Sequence, residues 1–300
     1  MHFTILSRGT SIYSTKRLVE AARSAGHRVR VVDPAHCELK LSDGASQAAE
    51  RGRMLARTDV VIPRVAASVQ PFGLAVLNQL QLAGIPSLNE AAAIAVSRDK
   101  MRCLQLLASA GVPVPPTVMA RDAKSLRRMV ADVGGPPVLV KLVQPSDRAG
   151  IILCESEQSL EAALEAVLST GRDLIVQRYT PAERWRDVRT LVVGGRVVAA
   201  VRRRARAGRL STTLSRGAHV GMITCPPAYA RLAERAAAVV GLEIAAVDML
   251  ETKAGPCVFE VSPSPGLQDL EQATNRDLAT LIMARAAELG ARKARLRRHG

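Results

Sequence analysis

An aspartate and a glutamate stand twelve positions apart late in the chain, in Ala-Ala-Val-Asp248-Met-Leu and Val-Phe-Glu260-Val-Ser262-Pro-Ser-Pro-Gly266. Both interrupt apolar runs that read as strands, where an unpaired carboxylate costs several kcal/mol to bury. If neighbouring strands bring the two acids together, they form an oxygen-ligand site for a hard divalent ion. The competing reading pairs both acids with arginines, which this chain has in excess. Lys141 poses the mirror-image problem in Val138-Leu-Val-Lys-Leu-Val143. Its ammonium either faces an anion or points outward from a half-exposed strand.

These residues need elements to hold them. Phe3 to Ser7, a helical stretch from Lys16 to Ala25 ended by Gly26, and Val29 to Asp33 read as strand, helix, strand. With Asp59 to Pro63 and the apolar helix around Gly73 to Ala83, they predict a small parallel α/β unit. Ser97 to Ala110 reads as one helix capped by Ser97 and stopped by Gly111 and the prolines that follow. Strands at 117–120, 137–143, 150–155 and 173–179, with helices at 123–133 and 159–169, make a second unit. Gly194-Gly195 between Val188 to Val193 and Val197 to Val201 is a two-residue hairpin signal, so the last sheet is expected to be antiparallel. Helices at 228–240 and 277–289 bracket the strands that carry Asp248 and Glu260.

Composition narrows the function classes. Of 300 residues, 48% are hydrophobic, enough for a substantial core, but aromatics are only 2%. So few rings for base stacking argue against a dedicated single-strand RNA binder. Forty-two Lys and Arg against twenty-seven Asp and Glu give a net charge of +15, which draws polyanions such as nucleotides and acidic peptides and leaves nucleic acid open only through the basic surface. Part of that excess lies in Arg292 to Arg298, read as a solvated tail. The five cysteines lie far apart with no Cys-x-x-Cys pair, which argues against a zinc knuckle and a disulfide framework. No signal peptide or membrane span is visible, so a cytoplasmic protein is expected.

The acid pair and its Pro-Ser-Pro-Gly flank also carry a resemblance. Together with Ile62-Pro-Arg-Val65, Leu88-Asn-Glu90, Arg98-Asp-Lys100, Val140-Lys-Leu-Val143, Asp187-Val-Arg189 and Val192-Val-Gly-Gly-Arg-Val-Val-Ala-Ala200, they follow the order and spacing of the RimK family. The chain resembles RimK-type ATP-grasp ligases over almost its whole length. The resemblance implies an α/β and α+β architecture: an ATP-grasp fold with an N-terminal Rossmann-like (pre-ATP-grasp) domain over 1–97. A small ATP-grasp lobe over 98–180, a large lobe with the metal site over 181–291 and a basic tail over 292–300 would follow. The implied activity is ATP-dependent joining of a carboxylate to an amine through an acyl phosphate. In that family's terms, glutamate or a similar amino acid is added to an acidic peptide or a ribosomal protein C-terminus by a homo-oligomer.

Carried over position by position, the resemblance makes Lys100 and Lys141 phosphate-binding lysines. It makes Gln177, Arg178 and Tyr179 the hinge that holds adenine, and Asp187 a nucleotide-site carboxylate. Arg203 becomes the catalytic arginine that reaches the transferring phosphate or the acceptor carboxylate. Asp248, Glu260 and Ser262 become ligands for magnesium or manganese, with two ions if Glu260 bridges them. Arg8, Arg64 and Asn89 are implied to border the acceptor.

The chain also departs from the family pattern at functional positions. The glycine-rich phosphate loop is Gln144-Pro145-Ser146-Asp147-Arg148-Ala149-Gly150, Arg178 replaces a glutamate, Ser211-Thr212-Thr213 stands for Arg-Ser-Asn, and Ser262 replaces an asparagine. Pro145 removes an N–H and Arg148 removes a glycine's freedom, which weakens backbone cradling of phosphate. Two other readings therefore stand beside the ligase. One is a degenerate paralogue that binds nucleotide or a polyanion without efficient catalysis, and the other is a ligase for a different small-molecule acceptor.

Overall fold

The described residues form four sheets, and most of the candidate strand positions sit on two of them. The computed structural model describes residues 1–42, 45–55, 57–143, 151–179, 186–204 and 219–299. The loop at 144–150, and with it Ser211, Thr212, Thr213 and Arg216, lies outside the described residues.

The first unit runs β1 (His2–Leu6), α1 (Tyr13–Ser24), β2 (Arg28–Val32), β3 (Cys37–Ser42), β4 (Ala45–Glu50), β5 (Arg53–Met54), β6 (Val60–Pro63), α2 (Gln70–Leu82) and α3 (Ala91–Arg98). Strands β2, β1 and β6 form the expected parallel sheet, with Phe3 opposite Val29 and Val60. The β3-β4-β5 antiparallel sheet was not read from the sequence: Cys37 to Ser42 does alternate apolar and polar residues, but β4, Ala-Ser-Gln-Ala-Ala-Glu, carries no such alternation and β5 is only two residues long.

A predicted single helix over 97–110 is two helices, α3 and α4 (Lys100–Ser109). Asp99 stands between them with extended backbone, and its side chain accepts from the Arg102 N–H at 3.1 Å, so Asp99 caps α4 in place of Ser97. The Ser97 hydroxyl instead donates to the Val261 carbonyl at 2.7 Å, tying the helix pair to the strand that carries Glu260.

The second unit contains β7 (Thr117–Val118), α5 (Ala123–Asp132), β8 (Val138–Leu142), β9 (Ile151–Cys154), α6 (Glu157–Leu168) and β10 (Leu174–Arg178). Its sheet has the order β7-β10-β8-β9 and is antiparallel throughout. Leu126, Val130, Leu160 and Leu164 pack the two helices onto Val138, Val140 and Val176.

The third unit is β11 (Arg186–Val193), β12 (Arg196–Arg204), β13 (His219–Met222), α7 (Pro227–Val240), β14 (Ile244–Thr252), β15 (Gly255–Ser262), α8 (Gln268–Thr274) and α9 (Leu278–His299). Its antiparallel order is β13-β12-β11-β14-β15. Gly194 and Gly195 turn β11 into β12 with φ of 57° and 77°, the paired left-handed conformation of a tight hairpin turn.

One face of this sheet, with Val188, Val192, Ala245, Val247 and Met249, packs on Ala233, Ala236 and Ala237 of α7. The opposite face is apolar at one end, where Leu191, Val193, Val201 and Ile244 share a core with Phe3, Ile62, Leu278 and Ile282. Further along, the same face changes to Asp187, Arg189, Arg203 and Asp248. The residues 292–299 expected to form a solvated tail continue α9, and Arg292, Lys293 and Arg295 are exposed. Among the described residues no helix is long and apolar enough to cross a membrane.

Candidate active site

Antiparallel pairing decides which charges meet, because directly opposed residues project from the same face. Asp248 on β14 is opposite Glu260 on β15 and also opposite Arg189 on β11. Asp187 on β11 is opposite Arg203 on β12. Ser262, two residues beyond Glu260, is opposite Ala246 and so shares the Asp248 face.

The Asp248 carboxylate is 1% exposed and fully paired. Arg189 grips it as a fork, Nε to Oδ1 at 2.7 Å and Nη2 to Oδ2 at 2.6 Å. Arg203 Nη2 adds a contact to Oδ2 at 3.0 Å while its Nε donates to Asp187 Oδ1 at 2.5 Å. Burial alone would raise the Asp248 pKa, but the two guanidiniums outweigh it and hold the carboxyl at about 2. Of the two readings of the acid pair, Asp248 therefore follows the arginine-paired one. Glu260 does not: it is exposed and has no ion pair or hydrogen bond among the described residues.

Lys141 is buried and shows the reverse balance. Its Nζ donates to Gln177 Oε1 at 2.6 Å and lies 5.6 Å from the centre of the Phe259 ring. Gln177 is itself held by donation from Nε2 to Thr117 Oγ1 at 2.9 Å. Desolvation pushes the Lys141 ammonium down to about 8; Glu260 opposes the shift, and the nearby Lys100 adds to it. So the buried cation has a neutral acceptor and a facing carboxylate, but no directly bonded anion among the described residues.

Lys100 opens α4 and is partly exposed. At the hinge, the Arg178 N–H bonds Pro116 O at 2.9 Å and the Tyr179 N–H bonds Pro137 O at 3.2 Å, so both amides are occupied by the protein. The Arg178 side chain is exposed beside Gly134. The Asn89 amide group makes three hydrogen bonds, with Ile244 O, Pro263 O and Ile244 N, and ties the first unit to β14. Arg8 pairs with Asp33 at 3.3 Å.

Sequence reasoning gave no role to Arg189, Phe259 or Thr117. Arg189 had a usable signal, since it sits two residues from Asp187 on a strand and must share its face.

The acid pair fits a divalent ion in part. Opposed carboxylates at 248 and 260, with a hydroxyl at 262, are hard oxygen donors on one face, and Glu260 has no ion pair among the described residues. Among the described residues no group of three or more His, Cys, Asp or Glu side chains gathers. The site's third donor would therefore be Ser262 or water.

Comparison with known proteins matches this frame. The RimK PreATP-grasp domain family matches residues 1–94, and the RimK-like ATP-grasp domain family matches residues 97–286. The chain belongs to the RimK family of ATP-grasp ligases. A relative of this RimK-family enzyme from Alkalilimnicola ehrlichii, named probable alpha-L-glutamate ligase, is 39% identical over 300 residues, covering 100% of this chain and 99% of that one. One of the same name from Pseudomonas aeruginosa is 40% identical over 283 residues, 94% of each chain. The RimK domain protein ATP-grasp from Sphaerobacter thermophilus superposes with a TM-score of 0.71 at 24% identity, over 96% of this chain and 100% of that one. The ATP-grasp ligase PsnB, solved with a phosphomimetic precursor variant, Mg and ADP, gives 0.72 at 23%, over 96% and 98%. At such identities these two structures establish the fold alone.

Proposed function

We propose that this RimK-family enzyme uses ATP to activate a carboxylate as an acyl phosphate and joins it to the amine of glutamate, extending an acidic peptide or a ribosomal protein C-terminus. The observation that carries this reading is Lys141: a buried ammonium, pushed down to about 8, that faces Glu260 and has no directly bonded anion among the described residues. A nucleotide phosphate supplies that anion, and the charge that develops in phosphoryl transfer is what such a cation stabilises. Lys100 lies close enough to act on the same phosphates. The relatives' glutamate-ligase names support the choice of amino acid.

Magnesium or manganese would be held by Glu260 and Asp248, with Ser262 directly or through water, as two ions if Glu260 bridges them. The metal would neutralise the phosphates and polarise the transferring group. The chain's own residues prepare that site: Arg189 and Arg203 keep Asp248 ionised, and Asp187 orients Arg203 toward it. Arg203 would contact the transferring phosphate or acceptor carboxylate. Gln177, Arg178 and Tyr179 would flank adenine, with Asp187, Ser211, Thr212 and Thr213 completing the nucleotide site.

Mass spectrometry of an incubation with ATP, magnesium, glutamate and an acidic acceptor peptide tests the reading. Successive glutamyl additions are expected. Absence of both product and phosphate release across a panel of acceptors, despite tight nucleotide binding, would sink it and assign the cost to the altered positions 145, 148, 178, 211, 213 and 262.

A further inference from the structure

Several arginines withdrawn from solvent rest on carboxylates, Arg17 on Glu271, Arg189 and Arg203 on Asp248, and Arg285 on Glu243, while Arg30 donates to the Thr4 and Thr58 hydroxyls. Arg64 and Arg98 differ in being neighbouring cations that both rest on neutral oxygens. Arg64 Nη1 donates to the Pro265 carbonyl at 2.7 Å. Arg98 donates to Gln70 Oε1 at 3.3 Å and to the Val65 carbonyl. Among the described residues neither guanidinium has a carboxylate partner, and the remaining N–H groups of Arg64 have no acceptor. Burial first, and the neighbouring Arg98 second, push the Arg64 guanidinium down to about 10. Burial also lowers Arg98. Two repelling cations held together without a counter-ion are a standing cost to the fold.

Their position gives that cost a purpose. Arg64 fixes Pro265, three residues past Ser262, and Arg98 follows Ser97, whose hydroxyl holds the Val261 carbonyl between Glu260 and Ser262. Arg98 also precedes Asp99 and Lys100. Beside them α2 begins at Gln70 with no side-chain cap, which adds its positive end to the same locality. Both arginines keep partial exposure, so an anion can reach them. A guanidinium fork matches a carboxylate with two parallel hydrogen bonds.

We propose that Arg64 and Arg98 form a cradle for a substrate carboxylate, holding it beside the Asp248 and Glu260 strands. The proposal rests on the ligase reading for its substrate class, and two sources supply the group: the incoming amino acid or the C-terminus of the acceptor chain.

Calorimetric titration of the full-length protein with saturating ADP and magnesium tests it with two matched pairs of probes. One pair is glutamate and its diamide; the other is a short acidic peptide with a free C-terminus and its C-terminal amide. The wild type is expected to bind the free acid of at least one pair about tenfold more tightly than the blocked form, and the pair that discriminates identifies the source. Arg64→Gln and Arg98→Gln are expected to erase that discrimination, with ATP-magnesium affinity within about twofold of wild type. Equal binding of acid and blocked forms in both pairs by the wild type overturns the cradle, even if neither variant folds. So does full discrimination retained in folded variants. Discrimination without any ATP binding would sink the ligase reading and leave the cradle standing.

Discussion

The sheet of β8 and β10 and the sheet of β11, β14 and β15 each bury a charge, and they handle it in opposite ways. Asp248 is surrounded by more positive charge than it carries, so it is ionised and satisfied before any ligand arrives. Lys141 has a neutral amide oxygen and an aromatic ring for immediate neighbours, so its charge is held at a cost to the fold. The buried acid is over-paired here, and the buried ammonium is left short of an anionic partner among the described residues. Arg64 and Arg98 extend the second class to a further locality.

The contrast breaks most directly at Asp248. Asp248→Ala leaves Arg189 and Arg203 buried with one carboxylate between them, and is expected to cost about 3–5 kcal/mol in urea-denaturation stability. A loss below about 1 kcal/mol would show that the clamp is not structural. Lys141→Met should behave oppositely. It should leave the unliganded protein as stable or more so, yet weaken ATP binding about 10- to 100-fold by titration calorimetry. Equal destabilisation by both substitutions would erase the distinction.

The pH response sharpens it further. Below pH 8, Lys141 is protonated in both folded and unfolded chains, and its desolvation cost is fully present. Between about 8 and the ordinary 10.5, only the unfolded chain keeps the proton, so wild-type stability should rise relative to Lys141→Met. Over the same rise through pH 8 the wild-type advantage in ATP affinity should shrink. A flat difference between pH 7 and 9.5 would refute the lowered ammonium pKa. Asp248 should lose its stabilisation only as pH falls from 3.8 toward 2.

The smallest effect is expected one residue from the clamp. Arg202 points to the other side of β12 from Arg203 and pairs with Glu251 at 2.7 Å in partial exposure. Arg202→Ala should cost about 0–1 kcal/mol. A thermal-melt comparison with Arg203→Ala tests whether burial, and not the ion pair itself, sets the cost.

Much of the site was legible as residue types in apolar runs. Asp248, Glu260 and Lys141 stood out because charge in a strand-like run demands an explanation. Gly194-Gly195 announced its hairpin because few residues adopt two successive positive φ values. The break at Asp99 was missed because Ser97, Asp99 and the residues around them all satisfy a helical pattern, and only contact with Val261 selects the split. The continuation of α9 through 292–299 was missed because charge composition was weighed above the helix propensity of Ala, Arg, Lys and Leu.

By itself, the sequence determined most of the strands and helices outside β3 to β5 and which carboxylates and lysines required partners, because local propensity and the cost of burying charge act on residue type alone; the order and spacing of its motifs carried the family. Only the tertiary structure decided the partners. Register across β11, β12 and β14 gave Asp248 to Arg189 and Arg203, and left Glu260 without an ion pair among the described residues. The packing of α3 and β6 against the Pro263 to Gly266 turn brought Arg64 and Arg98 together. Electrostatic energy depends on distance and desolvation between residues far apart in the chain, and those quantities exist only once the fold has formed.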